Sequence, residues 1–347
     1  MAQNALDHSL RIGCFRFTLA PLQSLEVPAG NKGNMLRGGF GHAFRRLCCV
    51  PECRDAKTCP LATACPYKTV FEPSPPPNAD RLSKNQDIPR PFVFRAPQTQ
   101  QTRFQKGERF EFGLVLIGRA LDFLPYFVLS FRALAAEGLG LNRAKADLER
   151  VEQVKLSPDG ALCQDCQSEI VYTSDQLFHV TEPPSAEDWI KSSLYKFPSC
   201  EGPANAQQVK IRFVTPTFLR ADGQIVRRPE FHHTFKRLRD RINALNTFFG
   251  NGSLHAEFSQ LGKRAEEVRT LSCDVKWIER FRTSSKTRQR HELSGFVGEA
   301  VYGGYLTELL PWLLLGQLVH VGKHTAWGNG WIEVRNARDG NGLKCQN

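Results

Sequence analysis

Twice in this chain an extended stretch leads through a turn into an amphipathic helix, followed by further extended stretches and a second helix. A segment rich in Pro, Ser, Gly and Asn, residues 182–208, parts the two copies. The clearest helix is predicted over residues 229–249, where Phe231, Phe235, Leu238, Ile242 and Leu245 fall on one stripe of a 3.6-residue period. In the first copy, residues 11–28 alternate apolar and polar positions (Ile12, Cys14, Phe15, Phe17, Leu19) up to Pro28, and residues 31–50 read as a loop and helix. A strand over 107–118, a helix over 123–139 and strands near 151–156 and 170–172 complete it. The second copy adds strands at 209–216, 271–281, 292–302 and 318–321 and a short helix at 306–315. Two successive β-α-β-β-α-β units predict an α+β fold of tandem ferredoxin-like domains. The units are placed at residues 1–190 and 205–347, the first interrupted by a Cys- and Pro-rich insertion at about residues 48–105.

Composition narrows the partners. The chain has 347 residues, 41% of them hydrophobic, which furnishes a core for each unit. Its 46 Lys+Arg against 35 Asp+Glu leave a formal charge of +11, which favours a polyanionic partner. There is no apolar run of roughly 18 residues, and no basic stretch followed by an apolar one opens the chain, so a soluble, cytoplasmic protein without membrane contact is expected. Eleven cysteines are an odd count, so they cannot all pair within the chain, and a reducing compartment suits them better. Cys48, Cys49, Cys53, Cys59 and Cys65 crowd into 18 residues. Four of them, Cys49, Cys53, Cys59 and Cys65, could ligate Zn²⁺ tetrahedrally or hold an iron–sulfur cluster. Their spacing is not that of a zinc ribbon. A metal there would brace the insertion and take no part in catalysis; the alternative is a set of reduced thiols packed in a loop, with Cys163 and Cys166 a surface pair.

Near the C-terminus, Gly322, Lys323, His324, Trp327, Gly328 and Gly330 lie in one loop. Glycine tolerates positive φ and lets backbone N–H groups approach an anion closely. A cation, an imidazole and an indole beside such glycines are the mixture that meets phosphates and stacked bases. Glycines alone would fit a tight turn equally well. The spacing is neither a dinucleotide fingerprint nor a Walker loop, so no nucleotide cofactor is expected.

The first helix reads Leu36-Arg37-Gly38-Gly39-Phe40-Gly41-His42-Ala43-Phe44-Arg45-Arg46-Leu47. Leu36, Phe40, Ala43, Phe44 and Leu47 share a stripe, while His42 falls on the opposite side between Arg45 and Arg46. Gly38 and Gly39 occupy that side one turn earlier, at a helix-propensity cost of about 1 kcal/mol each, as if close approach of something bulky mattered more. An imidazole between guanidinium groups on a cleared face suits a general base beside a phosphodiester, the arginines keeping it neutral. The plainer reading is a solvated surface histidine. Further basic residues cluster at Arg227, Arg228, Lys236, Arg237, Arg239 and Arg241, and again at Lys276, Arg280, Arg282, Lys286, Arg288 and Arg290, among Trp277, Phe281 and His291. The second cluster suits a phosphate backbone. His232 and His233 border the second long helix as capping or rival catalytic groups.

Together the residues from Leu36 to Leu47, the Cys59-Pro-Leu to Cys65-Pro-Tyr67 loop, Trp277 with Arg282, Gly295 to Glu299, and Leu318 to Gly330 resemble CRISPR-associated repeat-processing endoribonucleases of the RAMP superfamily. The resemblance runs over nearly the whole chain, and the glycine loop is its most specific part. It implies tandem ferredoxin-like (RRM-like) domains and metal-independent cleavage of a repeat-containing precursor RNA, with no cofactor for catalysis. In that chemistry the ribose 2′-hydroxyl attacks the adjacent phosphorus and leaves a 2′,3′-cyclic phosphate and a 5′-hydroxyl. His42 matches the family's histidine on the first helix, and Arg45, Arg46 and Lys32 are the cations that would stabilise the phosphorane. Arg37, Arg237, Arg241, Arg282, Lys286, Arg288, Arg290 and the loop from Gly322 to Gly330 would hold the RNA. The implied partners are CRISPR repeat and guide RNA, and subunits of an effector complex if the chain were a non-catalytic RAMP protein. The family's loop opens Gly-x-Gly, whereas His320 stands first here, as a strand residue or an extra RNA contact.

Overall fold

The structure is a computed structural model that describes residues 10–50, 52–53, 59, 61, 64–73, 88–154, 168–173, 176–178, 181–197, 207–283 and 290–337. The first half runs β1 (Ile12–Pro21), β2 (Leu25–Glu26), α1 (Lys32–Cys48), β3 (Phe92–Arg95), β4 (Arg103–Phe104), β5 (Phe110–Ile117), α2 (Leu124–Glu137), β6 (Ala146–Val154), β7 (Ser168–Thr173), β8 (Gln176–Leu177) and α3 (Ala186–Leu194). The second half runs β9 (Gln207–Thr217), β10 (Leu219–Ala221), β11 (Gln224–Val226), α4 (Phe231–Phe249), α5 (Phe258–Glu267), β12 (Arg269–Ile278), β13 (Phe281–Thr283), β14 (Arg290–Glu292), β15 (Gly295–Gly304), α6 (Leu310–Val319) and β16 (Ile332–Asn336).

The fold is α+β, with antiparallel sheets. One sheet has the order β3-β5-β1-β6-β7-β8, the other β12-β15-β9-β16. Taking β1, β3, β5 and β6 as the four strands of the first β-α-β-β-α-β unit, and β9, β12, β15 and β16 as those of the second, both sheets have the spatial order 2-3-1-4. That is the ferredoxin-like arrangement, made twice. None of the described helices is long and apolar enough to cross a membrane.

Strand β1 shows how the halves meet. Phe15, Phe17 and Leu19 face a core of phenylalanines under α1 and α2, in which Phe40 stacks on Phe127 with ring centroids 4.5 Å apart. Its alternate positions, Ile12 and Cys14, join a second core shared with α4 and α6 of the other half. A sheet covered on both faces needs apolar residues on both, which is why β1 is buried or half-buried throughout. Trp189 on α3 donates its indole N–H to the Leu314 carbonyl on α6 at 3.1 Å and ties the halves further.

Three expectations are corrected. The presumed linker contains helix α3, begun by a reciprocal cap in which the Ser185 hydroxyl accepts from the Asp188 N–H and the Asp188 carboxylate accepts from the Ser185 N–H, both at 3.2 Å. Residues 318–321 are not a strand: α6 continues to Val319, and it is apolar on nearly every side because it is buried on every side. Finally, β3 lies within the stretch read as an insertion, yet it pairs with β5 through Phe92 to Arg95 and is integral to the first sheet.

Candidate nucleic-acid interface at the seam between the two units

Helix α1 and the glycine loop meet directly. A Cβ on Gly33 would stand 2.0 Å from the Trp327 carbonyl oxygen, so only glycine lets the two backbones approach this closely. One turn further along α1, the Arg37 guanidinium lies between two rings, 3.9 Å from the Trp327 centroid and 4.4 Å from that of Phe71. Arg282 and Arg90 also approach Trp327, at 5.3 and 5.9 Å. His324 meets the same indole edge-on at 5.4 Å. An arginine from α1, another preceding β3, a third from β13 and the loop's own imidazole thus surround one side chain. Alongside runs an open cleft lined by Gly30, Lys32, Thr99, Thr215 and Arg280.

The charge in this seam is poorly offset. Burial, with Arg90 and Arg282 adding repulsion, lowers Arg37 to about 9, and Tyr67 and Glu72 counter this only in part. Burial pulls His324 down to about 4, with Lys323, Arg282, His291 and Arg37 pushing the same way. Concentrated positive potential of this kind attracts a polyanion. His324 is held neutral near pH 7, so it can donate or accept a hydrogen bond without adding to the repulsion.

The loop's glycines play a different part from the expected amide cradle. Gly322, Gly328 and Gly330 do take positive φ, of 84°, 86° and 71°. However, a Cβ on each would strike the carbonyl oxygen of Phe218, Phe94 or Val321, so they serve the loop's packing on its own protein. The N–H groups of Val321, Lys323, Trp327, Gly328, Asn329 and Gly330 all donate to carbonyls. Those six amides, Gly328 and Gly330 among them, are spent within the protein. Trp327 is likewise no bare stacking platform, because guanidinium groups lie against its ring. His320 is neither strand nor surface: it is buried, with φ 61° and ψ 171° at the end of α6, its Nδ1 3.1 Å from the Asn329 carbonyl oxygen and its ring stacked on Trp331.

The other expected residues divide. His42 is exposed on α1, beyond Arg37 by about 7.5 Å of helix rise. Arg45 donates to the Cys53 carbonyl at 3.3 Å, and Arg46 is paired with Glu137. Lys32 is buried, donates to the Thr99 carbonyl, and lies about 15 Å before His42 along the helix axis. Lys32 is therefore removed from His42, whereas Arg45 and Arg46, three and four residues further along α1, stay its neighbours on the helix surface but already have partners. Arg241 is half-buried, with its Nε donating to the Val319 carbonyl at 2.9 Å and its Nη2 enclosed, so it closes the end of α6 and offers RNA little of its charge. Arg237 donates to the Arg220 carbonyl from an exposed position, and Arg290 lies over the Phe281 ring at 3.7 Å. Lys286 and Arg288 lie outside the described residues, as do Cys163 and Cys166. Arg90, Phe71 and Phe218 were not anticipated at the seam. They reach it from elements far apart in sequence, and no local pattern announces them.

Cys49, Cys53, Cys59 and Cys65 lie near enough to one another that, with burial, neighbouring thiols push Cys49 up to about 11 and raise Cys53. Among the described residues, the trio whose ligand atoms all lie within 4.8 Å of one another is instead Glu230, His232 and His233. There the Glu230 N–H donates to His233 Nδ1 at 3.2 Å, which makes His233 part of the start of α4.

Tandem ferredoxin-like units joined along an arginine-rich seam make a surface suited to a polyanion. An N-terminal domain model, AF_1859_N, matches residues 10–184, half of the chain, and the model of the CRISPR-associated endoribonuclease Cas6 matches residues 211–332. The chain belongs to the RAMP-type family of CRISPR repeat-processing proteins. Among solved structures, a Cas6 product complex is similar at 16% identity and a TM-score of 0.53, over 93% of this chain and 99% of that one. Cas6 of Thermus thermophilus matches at 16% identity and a TM-score of 0.50, over 94% of this chain and 98% of that one. A chain of a partial Cas6-RT-Cas1–Cas2 complex matches at 13% identity and a TM-score of 0.56, over 96% of this chain and 47% of that one. At such identities these likenesses speak for the fold. No curated protein matches the chain.

Proposed function

We propose that this protein is an endoribonuclease that cuts CRISPR precursor RNA within its repeats by metal-independent attack of a ribose 2′-hydroxyl. His42 Nε2 or Nδ1 takes the 2′-hydroxyl proton, the 2′-oxygen bonds to phosphorus, and the bond from phosphorus to the 5′-oxygen breaks. That oxygen leaves with a proton drawn from water while His42 returns its own to solvent, giving a 2′,3′-cyclic phosphate and a 5′-hydroxyl. The observation that carries the reading is His42 itself: an exposed imidazole on α1, a turn and a half beyond an arginine seated in the cationic seam. The RNA would lie along the seam on Arg37, Arg90, Arg282 and His324, with its scissile ribose at His42.

A second reading has its own support, since Arg45, Arg46 and Lys32 are engaged elsewhere. A subunit that binds guide RNA within an effector complex without cutting it would need no phosphorane clamp. Cys49, Cys53, Cys59 and Cys65 would hold a structural Zn²⁺ or iron–sulfur cluster, supported by the nearness of the four thiols. Repeat RNA incubated in EDTA with wild type and with His42→Ala separates the readings. Cutting by wild type alone supports catalysis at His42, and undiminished cutting by the variant removes it.

A further inference from the structure

Helix α1 has four glycines, and at three of them a side chain would press on the protein itself. A Cβ would stand 2.0 Å from the Trp327 carbonyl oxygen at Gly33, 2.6 Å from a Leu134 methyl at Gly39 and 2.3 Å from the Phe71 ring at Gly41. At Gly38 a Cβ would meet nothing within 4 Å, and the backbone there is ordinary right-handed helix. Neither packing nor conformation calls for glycine at this position, and the helix would be firmer with alanine. Gly38 is also one turn before His42, on the same face, and directly follows Arg37.

We infer that Gly38 is the point where the RNA sugar–phosphate backbone crosses α1 in direct contact with the helix backbone, and that this contact sets the scissile ribose against His42. The inference rests on the endoribonuclease reading above and adds a positioning residue to it. A methyl group would hold the strand off by about one C–C bond length, ~1.5 Å. Displacements near 1 Å cost about 10²-fold in rate when reacting atoms must be aligned. The phosphate contacts at Arg37, Arg90 and Arg282 would be left in place.

The test is a Gly38 series, alanine and then leucine, assayed by single-turnover cleavage of repeat RNA, by affinity for the same RNA with a 2′-deoxy scissile nucleotide, and by thermal unfolding. Gly38→Ala is expected to cut about 10²-fold more slowly, bind the deoxy RNA within about threefold of wild type, and melt about 2 °C higher. Gly38→Leu is expected to cut more slowly still. A Gly38→Ala protein that cuts at the wild-type rate overturns the inference, and so does one that slows only because its melting temperature has fallen. His42→Ala run alongside keeps the two claims apart: an active His42→Ala defeats the endoribonuclease reading. An active Gly38→Ala beside an inactive His42→Ala defeats the inference alone.

Discussion

Replacing Trp327 with alanine removes the surface on which three guanidinium groups are arranged. At 3.9 Å and largely desolvated, Arg37 draws about 1–2 kcal/mol from the indole, and Arg282 and Arg90, at 5.3 and 5.9 Å, about 0.5 kcal/mol each. If that organisation serves RNA binding, the variant loses about 2–3 kcal/mol of affinity, or about 30- to 150-fold. The loss should be electrostatic in kind. Each phosphate contact on a single strand contributes about 0.7 to the slope of log affinity against log salt, so releasing Arg37 and Arg282 lowers the slope by about 1.4. Fluorescence anisotropy of labelled repeat RNA from 50 to 300 mM salt measures this, and the gap between wild type and variant should narrow as salt rises. An equal loss at every salt concentration would mean that Trp327 stacks on a base. No loss at all would refute the assignment of the seam as the RNA interface.

Three further outcomes follow from the same geometry. Arg241→Ala should lower stability in chemical denaturation by about 2–4 kcal/mol, since it leaves the Val319 carbonyl and a cavity behind, while folded protein binds RNA within about threefold of wild type; clearly weakened RNA binding would return Arg241 to the interface. His324 is held neutral down to about pH 4 in the fold but takes up a proton near 6.5 when unfolded, so the unfolded state binds more protons between those values and stability rises with pH across that window. Acidifying from 6.5 to 4 should therefore cost the wild type about 2–3 kcal/mol more than it costs His324→Gln, and equal losses would show that His324 is not in the desolvated, cation-rich setting described. If the cysteines hold a metal, a strong chelator should lower the melting temperature but leave the cleavage rate of the remaining folded protein unchanged; a lost rate at an unchanged melting temperature would place the metal in the chemistry.

Much of this fold was legible because periodicity is a local property. The stripe from Phe231 to Leu245 and the alternation from Ile12 to Leu19 each report burial on a single face, and α4 and β1 form there. Reading failed where burial has no single face or composition points elsewhere. Helix α6 carries almost no polar side, so its last turn looked like a strand, and α3 was hidden in linker-like composition although Ser185 and Asp188 spell a capping box. At the site, the sequence named Arg37, Trp327 and His324 as binding residues, and the fold brings them together. It could not tell that six of the loop's amides would be spent on carbonyls of Pro216, Phe218 and the loop itself. Nor could it tell that Arg241 would turn inward to Val319 or that Arg45 and Arg46 would be claimed by Cys53 and Glu137, because those partners come from other elements.

The most direct test of the central claim is the chemistry of the cut ends. Repeat RNA is incubated with the protein in EDTA and the fragments are read by mass spectrometry. A 2′,3′-cyclic phosphate on the upstream fragment and a 5′-hydroxyl on the downstream one, with both absent for His42→Ala, is the predicted result. A 3′-hydroxyl with a 5′-phosphate, or fragments that form equally from RNA with a 2′-deoxy scissile nucleotide, would contradict attack by the ribose and the role given to His42.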